Sequence, residues 1–377
     1  MRMMIAGGGT GGHVFPGIAL AEEVCTRHFK NEVIFVGTKA GLESTVVPAA
    51  GYRLETISSK GIKGKGRFGL LKGLAILPLS FFQSWLILLK YRPDVVVGVG
   101  GYSSGPLVLA AWMQRVPTAI QEQNALPGFT NRTLGRVVRA VFIAFTEARG
   151  FFPPDKTYLI GNPIRRALME NYLRSTVAHD RFSLLIFGGS LGAKGLNTRM
   201  MEALPYLEDV KDKLHFVHQT GKSDLDRVKA EYSSRHFSAE VVDFIGDMSD
   251  AYAKAELVIC RAGATTLAEL TVCKKASILV PFPFAADNHQ EVNARAMVDN
   301  GAAIMLRESE LDGAKLAAEI RSLLNDPARR QKMEKQAALL GRPEASKELA
   351  DVCVEMMVTT WGPQGRKRSN SGKLQKP

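Results

Sequence analysis

The stretch MIAGGGTGGHVFP, residues 4–16, decides the fold of this 377-residue chain. A short apolar run at 3–6 meets Gly7, Gly8, Gly9, Gly11 and Gly12, then His13 and Pro16. Ile18, Ala19, Ala21, Val24 and Cys25 follow at helical spacing. The pattern is strand, tight turn, helix. Glycines at such a turn let the backbone approach a ligand, and the N–H groups at a helix start favour anionic oxygens. Gly7, Gly9 and Gly12 satisfy G-x-G-x-x-G, but a dinucleotide site also needs an acid at the end of the second strand. Here that strand, 32–36, runs out into Gly37, Thr38 and Lys39. A nicotinamide site is therefore disfavoured. A loop facing another polar ligand, with His13 at its mouth, is preferred.

The same element returns later: MMIAGGGTGG at 3–12 is matched by LLIFGGSLGA at 184–193. Each copy opens one half of a chain long enough for two domains. Strand patterns alternate with helix patterns throughout, which is the mark of α/β with a parallel sheet. Strands are expected at 33–36, 94–99, 118–121, 141–144 and 159–162, then at 183–187, 215–219, 240–244, 257–260 and 277–280. The run DVVVGV at 94–99 is apolar without alternation, so it belongs in the middle of a sheet. The expected division is an N-terminal Rossmann-like domain at 1–162 and a C-terminal one at 163–343. Residues 316–340 read as helices, and a helix at 344–357 can pack back on the first domain. A basic tail at 362–377 has too few apolar residues to order itself.

Forty-nine basic against 37 acidic residues leave a net charge of +12, which points to an anionic partner. The excess is uneven: residues 58–90 hold six basic residues and no acid, and 362–377 hold five and no acid. Nucleic acid is disfavoured because no recognised module or aromatic–basic interleaving accompanies the charge. Cys25, Cys260, Cys273 and Cys353 form no C-x-x-C pair and read as free thiols of a reducing cytoplasm. The N-terminus has no apolar signal-peptide core. Residues 70–89, LLKGLAILPLSFFQSWLILL, carry one charge in 20. Pro78 lies in their middle and a central strand follows at once, so docking on a membrane face is preferred to spanning. Phe81, Phe82 and Trp85 are the expected contacts, with Lys60, Lys63, Lys65, Arg67 and Lys72 upstream for anionic lipid.

Other stretches carry the chemistry. GVGGYSSGP at 98–106 follows a central strand, and ligands bind at the carboxyl ends of parallel strands. QEQN at 121–124 ends the next strand and offers amides and a carboxylate suited to sugar hydroxyls. RAGATTLAEL at 261–270 places Arg261, Gly263 and Ala264 at a strand-to-helix turn whose N–H groups can meet phosphate. Glu269 on the following helix can accept from two ribose hydroxyls. His289 and Gln290 are polar groups in PFPFAADNHQEVNA at 281–294.

At these residues the chain resembles the MurG glycosyltransferases of bacterial cell-wall synthesis. The resemblance rests on GGTGGHVFP (8–16), GYSSGP (101–106), EQN (122–124), GNPIR (161–165), GGSLGA (188–193), RAGATTLAEL (261–270) and DNHQ (287–290), in family order across 1–355. It implies the GT-B fold, α/β with two Rossmann-like domains and an interdomain cleft. It implies inverting transfer of N-acetylglucosamine (GlcNAc) from UDP-GlcNAc to the C4 hydroxyl of the N-acetylmuramyl (MurNAc) unit of undecaprenyl-pyrophosphoryl-MurNAc-pentapeptide. The product is lipid II, made peripherally on the cytoplasmic face of the inner membrane. Carried over, Ser190 and its turn meet the pyrophosphate, Ile245 offers backbone to uracil, and Glu269 holds the ribose. Ala264, Thr265, Thr266 and Leu267 give backbone contacts, and Gln290 with His289 reaches the GlcNAc. Thr10, Gly11, Gly12 and Asn124 approach the sugar from the first domain, with Arg165 near the hinge. Two departures stand out: Gln121 where the family often has histidine, and Leu191 in GGSLGA where glutamine is commoner.

An inverting transfer needs its acceptor hydroxyl deprotonated and its leaving UDP stabilised. His13 is the preferred base, because a helix start disfavours the imidazolium. Glu122 is the reserve. No D-x-D motif sits at a plausible donor site, so helix N-termini rather than a metal are expected to offset the UDP charge, and no cofactor is expected. The nearest rival is a transferase of the same fold acting on another lipid acceptor such as diacylglycerol.

Overall fold

The computed structural model describes residues 1–59, 66–174, 180–189 and 192–361. Contacts divide the chain into two units: Met1–Arg165 with Glu344–Pro377, and Arg166–Pro343.

The first unit is built on strands β1 (Arg2–Ala6), β2 (Glu32–Gly37), β3 (Arg53–Thr56), β4 (Val95–Gly98), β5 (Thr118–Glu122), β6 (Ala140–Ile143) and β7 (Thr157–Leu159). They form one parallel sheet in the order β3-β2-β1-β4-β5-β6-β7. Helices α1 (Gly11–Arg27), α2 (Glu43–Ala49), α3 (Gly66–Tyr91), α4 (Ser104–Met113) and α5 (Phe129–Leu134) connect them. Both sheet faces are covered, which is why β1 and β4 read as unbroken apolar runs. Met3, Ile5, Val95 and Val97 pack with Ile18, Leu20 and Val24 of α1 on one face. Met4, Ala6 and Val96 pack with Leu107 and Val108 of α4 on the other.

The second unit repeats the plan. Strands β8 (Phe182–Phe187), β9 (Leu214–Gln219), β10 (Ala239–Val242), β11 (Leu257–Cys260), β12 (Ser277–Leu279) and β13 (Ala303–Met305) make a parallel sheet in the order β10-β9-β8-β11-β12-β13. Its helices are α6 (Arg166–Arg174), α7 (Lys194–Ala203), α8 (Leu225–Ser234), α9 (Met248–Lys254), α10 (Ala264–Val272), α11 (His289–Asp299), α12 (Gly313–Asn325) and α13 (Pro327–Leu340). In each sheet the strand order reverses at the opening strand, β1 or β8, so the two glycine turns stand at equivalent switch points. The last helix, α14 (Ala345–Trp361), belongs to the first unit. Its Leu349, Ala350 and Cys353 enter the core beside α1, and Asp351 pairs with Arg27 at 2.6 Å.

One strand expectation is corrected, and two strands are additional. The strand expected at 159–162 is β7, ending at Leu159, because the chain turns at Gly161 with φ +91°. β3 and β13 were not foreseen; both are short edge strands, where few apolar residues are needed.

Helix α3 is apolar on two sides. Phe81 and Trp85 pack against the core, so of the three expected membrane contacts only Phe82 is exposed, at 59%. It lies in a row with Leu79, Leu86 and Leu89, all exposed and spaced three or four apart. Lys60, Lys63, Lys65, Ser190 and the basic tail fall outside the described residues, and the side chains of Arg67 and Lys72 do too.

Candidate active site

In the first unit, the carboxyl ends of β2, β1, β4 and β5 lie side by side and carry the loops singled out in the sequence. Glu43, at the start of α2 and 1% exposed, supplies an anion to this edge. Its Oε2 accepts the Gly9 N–H at 2.7 Å, and its Oε1 accepts the Thr38 N–H and hydroxyl, each at 2.8 Å. A Cβ on Gly8 would stand 2.2 Å from the Glu43 carboxyl carbon, so only glycine admits this carboxylate. The turn thus binds an acid of its own chain with an N–H that a nucleotide-binding turn keeps for its ligand. Replacing Glu43 by glutamine puts an NH₂ group among N–H donors. The expected result is a loss of about 1–3 kcal/mol in denaturant unfolding. Unchanged stability would mean that the turn holds without the carboxylate.

His13 is the third residue of α1, one turn after the N-cap Thr10. The Thr10 hydroxyl lies 3.2 Å from His13 Nδ1. The loop after β4 passes against the other side of the ring. Gly100 has φ +93°, and a Cβ there would sit 2.6 Å from His13 Cδ2. Arg165 reaches the same helix, its guanidinium 5.0 Å from the centre of the Phe15 ring.

The QEQN segment is largely turned inward, which narrows what it can offer a sugar. Gln121 donates to Asn162 Oδ1 at 3.0 Å and accepts from Gln123, which also donates to the Val99 carbonyl at 2.7 Å. Glu122 is buried. Its Oε1 accepts from the Asn124 N–H at 3.0 Å, and its Oε2 from the Gly128 N–H at 3.1 Å and Asn131 Nδ2 at 2.9 Å. Burial pushes its carboxyl above the ordinary range, against the opposing pull of these N–H groups. Of the four residues, Asn124 alone is partly exposed.

In the second unit the matching edge is formed by the ends of β10, β9, β8, β11 and β12. Gly263 caps α10, whose first residues are Ala264, Thr265 and Thr266; Leu267 is buried and its N–H donates to the Gly263 carbonyl at 3.0 Å. Glu269 is half-buried rather than a plain surface residue, and the buried Tyr252 hydroxyl donates to its Oε2 at 2.9 Å. Arg261 fastens two loops: it donates to the Val280 and Pro281 carbonyls at 3.1 and 3.2 Å and pairs with Glu308 at 2.5 Å. The following loop is tightly wound, with Asp287 and Asn288 both left-handed, at φ +54° and +53°. His289 Nδ1 donates to the Ala286 carbonyl at 2.7 Å, and Gln290 Oε1 accepts the Phe282 N–H at 2.9 Å. Ile245 donates its backbone N–H to Gln219. Sequence reasoning missed Glu43, Tyr252, Arg261's pairing with Glu308, and Gln219. Gln219 alone left a local signal, as a polar residue at the carboxyl end of an expected strand.

Comparison with known proteins adds the following. Residues 3–143 match the glycosyltransferase family 28 N-terminal domain and residues 183–349 the glycosyltransferase family 28 C-terminal domain. A Myxococcus xanthus protein named UDP-N-acetylglucosamine–N-acetylmuramyl-(pentapeptide) pyrophosphoryl-undecaprenol N-acetylglucosamine transferase is 69% identical over 98% of this chain and 96% of its own length. A protein of the same name from Anaeromyxobacter dehalogenans is 60% identical over 100% of this chain and 99% of its own. Among solved structures, Acinetobacter baumannii MurG matches with a TM-score of 0.76 and 32% identity, covering 94% of this chain and 99% of that one. A UDP-GlcNAc 2-epimerase from Neisseria meningitidis matches with a TM-score of 0.68 at 14% identity over 94% of this chain and 100% of its own, a likeness of fold alone.

Proposed function

The chain belongs to glycosyltransferase family 28, and from that premise we propose that it transfers GlcNAc from UDP-GlcNAc to the C4 hydroxyl of MurNAc in undecaprenyl-pyrophosphoryl-MurNAc-pentapeptide, with inversion at the anomeric carbon. The observation that carries this reading is the likeness, at 69% identity over 98% of the chain, to a protein named for that transfer.

The donor is read onto the second unit. Glu269 accepts from the ribose hydroxyls, the Ile245 backbone meets uracil, and the turn containing Ser190 meets the pyrophosphate. The N–H groups of Ala264, Thr265 and Thr266 at the start of α10 favour the charge that grows on departing UDP, while that of Leu267 stays bonded to the Gly263 carbonyl. Gln290 and His289 serve the GlcNAc. From the first unit, Thr10, Gly11, Gly12, Asn124 and Arg165 serve the sugar end. The acceptor C4 oxygen attacks the anomeric carbon as the bond to UDP breaks, and His13 takes the hydroxyl proton. The Thr10 hydroxyl at Nδ1 supports this by holding the ring in place. Glu122 is less suited, because backbone and asparagine N–H groups already hold both its oxygens. Lipid II supply would tie such an enzyme to cell-wall biogenesis, cell shape and division.

The test is a choice of acceptors. With UDP-GlcNAc as donor, a short-chain lipid I analogue is expected to gain the sugar and diacylglycerol in mixed micelles is not. Transfer to diacylglycerol instead would establish the rival of the same fold.

The acceptor's lipid tail requires a membrane contact, and the reading assigns it to the row Leu79, Phe82, Leu86 and Leu89 on α3. Among the described residues no helix is long and apolar enough to cross a membrane. Peripheral attachment at the cytoplasmic face is part of the same proposal. Burying one such side chain is worth about 1.5–3 kcal/mol. Phe82→Ser with Leu86→Ser is expected to reduce binding to anionic vesicles at least tenfold, with turnover of a water-soluble acceptor intact. Cosedimentation equal to that of the parent at low and high salt would move the contact elsewhere, the basic tail at 362–377 being next.

A further inference from the structure

We propose that Gln219 is a positioning residue that holds two donor-recognition points in register, Gly189 after β8 and the backbone of Ile245. The proposal rests on the donor reading of the second unit given above.

Gln219 is the last residue of β9 and is 3% exposed. Because β9 lies between β8 and β10, its end falls between the loops that leave those strands. The side chain uses both ends of its amide. Nε2 donates to the Gly189 carbonyl at 2.7 Å, and Oε1 accepts the Ile245 N–H at 3.1 Å. The two partners lie 30 residues before and 26 residues after it in sequence. A primary amide meets both partners at once, its NH₂ donating and its oxygen accepting. A carboxylate can keep the Ile245 bond but sets an oxygen against the Gly189 carbonyl. An apolar side chain keeps neither.

The strand end that carries Gln219 is itself braced from behind. His218 is buried, with Nδ1 3.1 Å from the Tyr232 hydroxyl and Nε2 3.1 Å from Asn197 Oδ1. Asn197 donates to the Thr220 carbonyl at 3.0 Å and to Asp224 at 2.8 Å, and Arg227 grips Asp224 through two bonds of 2.7 Å. This network fixes the backbone on both sides of Gln219, and from that fixed base its amide reaches both loops. Elsewhere on this edge the loops are tied by other means, as Arg261 ties those after β11 and β12.

Gln219 touches no part of the substrate in this account; it acts through the two loops. Its loss therefore falls on donor affinity, and the two halves of the donor respond differently to different substitutions. The experiment measures inhibition constants of UDP and uridine, with UDP-GlcNAc KM and kcat, for the parent, Gln219→Glu and Gln219→Met. In Gln219→Glu, the UDP constant is expected to rise about tenfold or more while uridine changes less than about threefold, because only the turn is displaced. In Gln219→Met both ligands weaken. In both variants kcat at saturating donor stays within about threefold of the parent, since the proton-transfer groups lie in the other unit. Equal weakening of UDP and uridine in Gln219→Glu, or parent-like UDP binding in either folded variant, overturns the proposal. A parent that fails to bind UDP overturns the donor reading instead, so the two failures are told apart. If the buried charge of Gln219→Glu prevents folding, the Gln219→Met constants decide.

Discussion

Replacing His13 by alanine is expected to lower kcat by about a hundredfold or more while moving the UDP-GlcNAc KM by less than about threefold. A positioned general base contributes roughly 10²–10⁴ in rate, and that contribution is lost from the step, not from donor binding. The ring is held for this work. Thr10 stands 3.2 Å from Nδ1, and the loop at Gly100 closes on the opposite edge of the imidazole. Steady-state kinetics with saturating acceptor separates the two constants. If kcat falls less than about tenfold in a folded variant, the proton goes to solvent or to Glu122. Glu122→Gln then becomes the next variant, read together with its unfolding free energy, because Glu122 also organises the loop at 124–131.

The second large effect belongs to Glu269. Glu269→Ala is expected to raise the UDP-GlcNAc KM at least about tenfold, since one charge-assisted hydrogen bond to a ribose hydroxyl is worth roughly 1.5–3 kcal/mol. The buried Tyr252 hydroxyl donates to the same carboxylate, so the alanine variant also strands that donor and loses some stability. Tyr252→Phe supplies the control: it removes the internal bond and leaves the carboxylate, and its KM is expected to stay within about threefold of the parent. If Tyr252→Phe weakens the donor as much as Glu269→Ala does, the carboxylate serves the fold and not the ribose.

What could be read ahead of the structure was whatever the chain writes locally. The runs at 3–6, 94–99 and 183–187 are apolar because both faces of their strands are covered, and glycines follow where the backbone must turn. These features lie within a dozen residues of one another, and they place the two switch-point turns and most of the site loops. The edge strands β3 and β13 were illegible because an edge needs little apolar surface. Partnerships made across the fold were equally out of reach. Glu43 meets Gly9 across 34 residues, and nothing near either residue in sequence announces the other. Gln219 and Tyr252 are of the same kind. On α3, a helix apolar on two sides, spacing does not reveal which side faces the core, so it does not separate Phe81 and Trp85, which pack inward, from Phe82. In QEQN the residue types suited a sugar, but the pleat of β5 and the tight turn after it direct three of the four inward.

The most direct measurement of the central claim is the product formed from UDP-GlcNAc and a short-chain lipid I analogue, isolated and examined by NMR with EDTA present throughout. The account predicts a GlcNAc–MurNAc disaccharide lipid joined at the MurNAc C4 oxygen, with the anomeric configuration inverted relative to the donor. It predicts undiminished formation under chelation, because the start of α10 and the glycine turn of the second unit meet the charge on UDP. A retained anomeric configuration, sugar on any other acceptor position, or free GlcNAc with no disaccharide would contradict it.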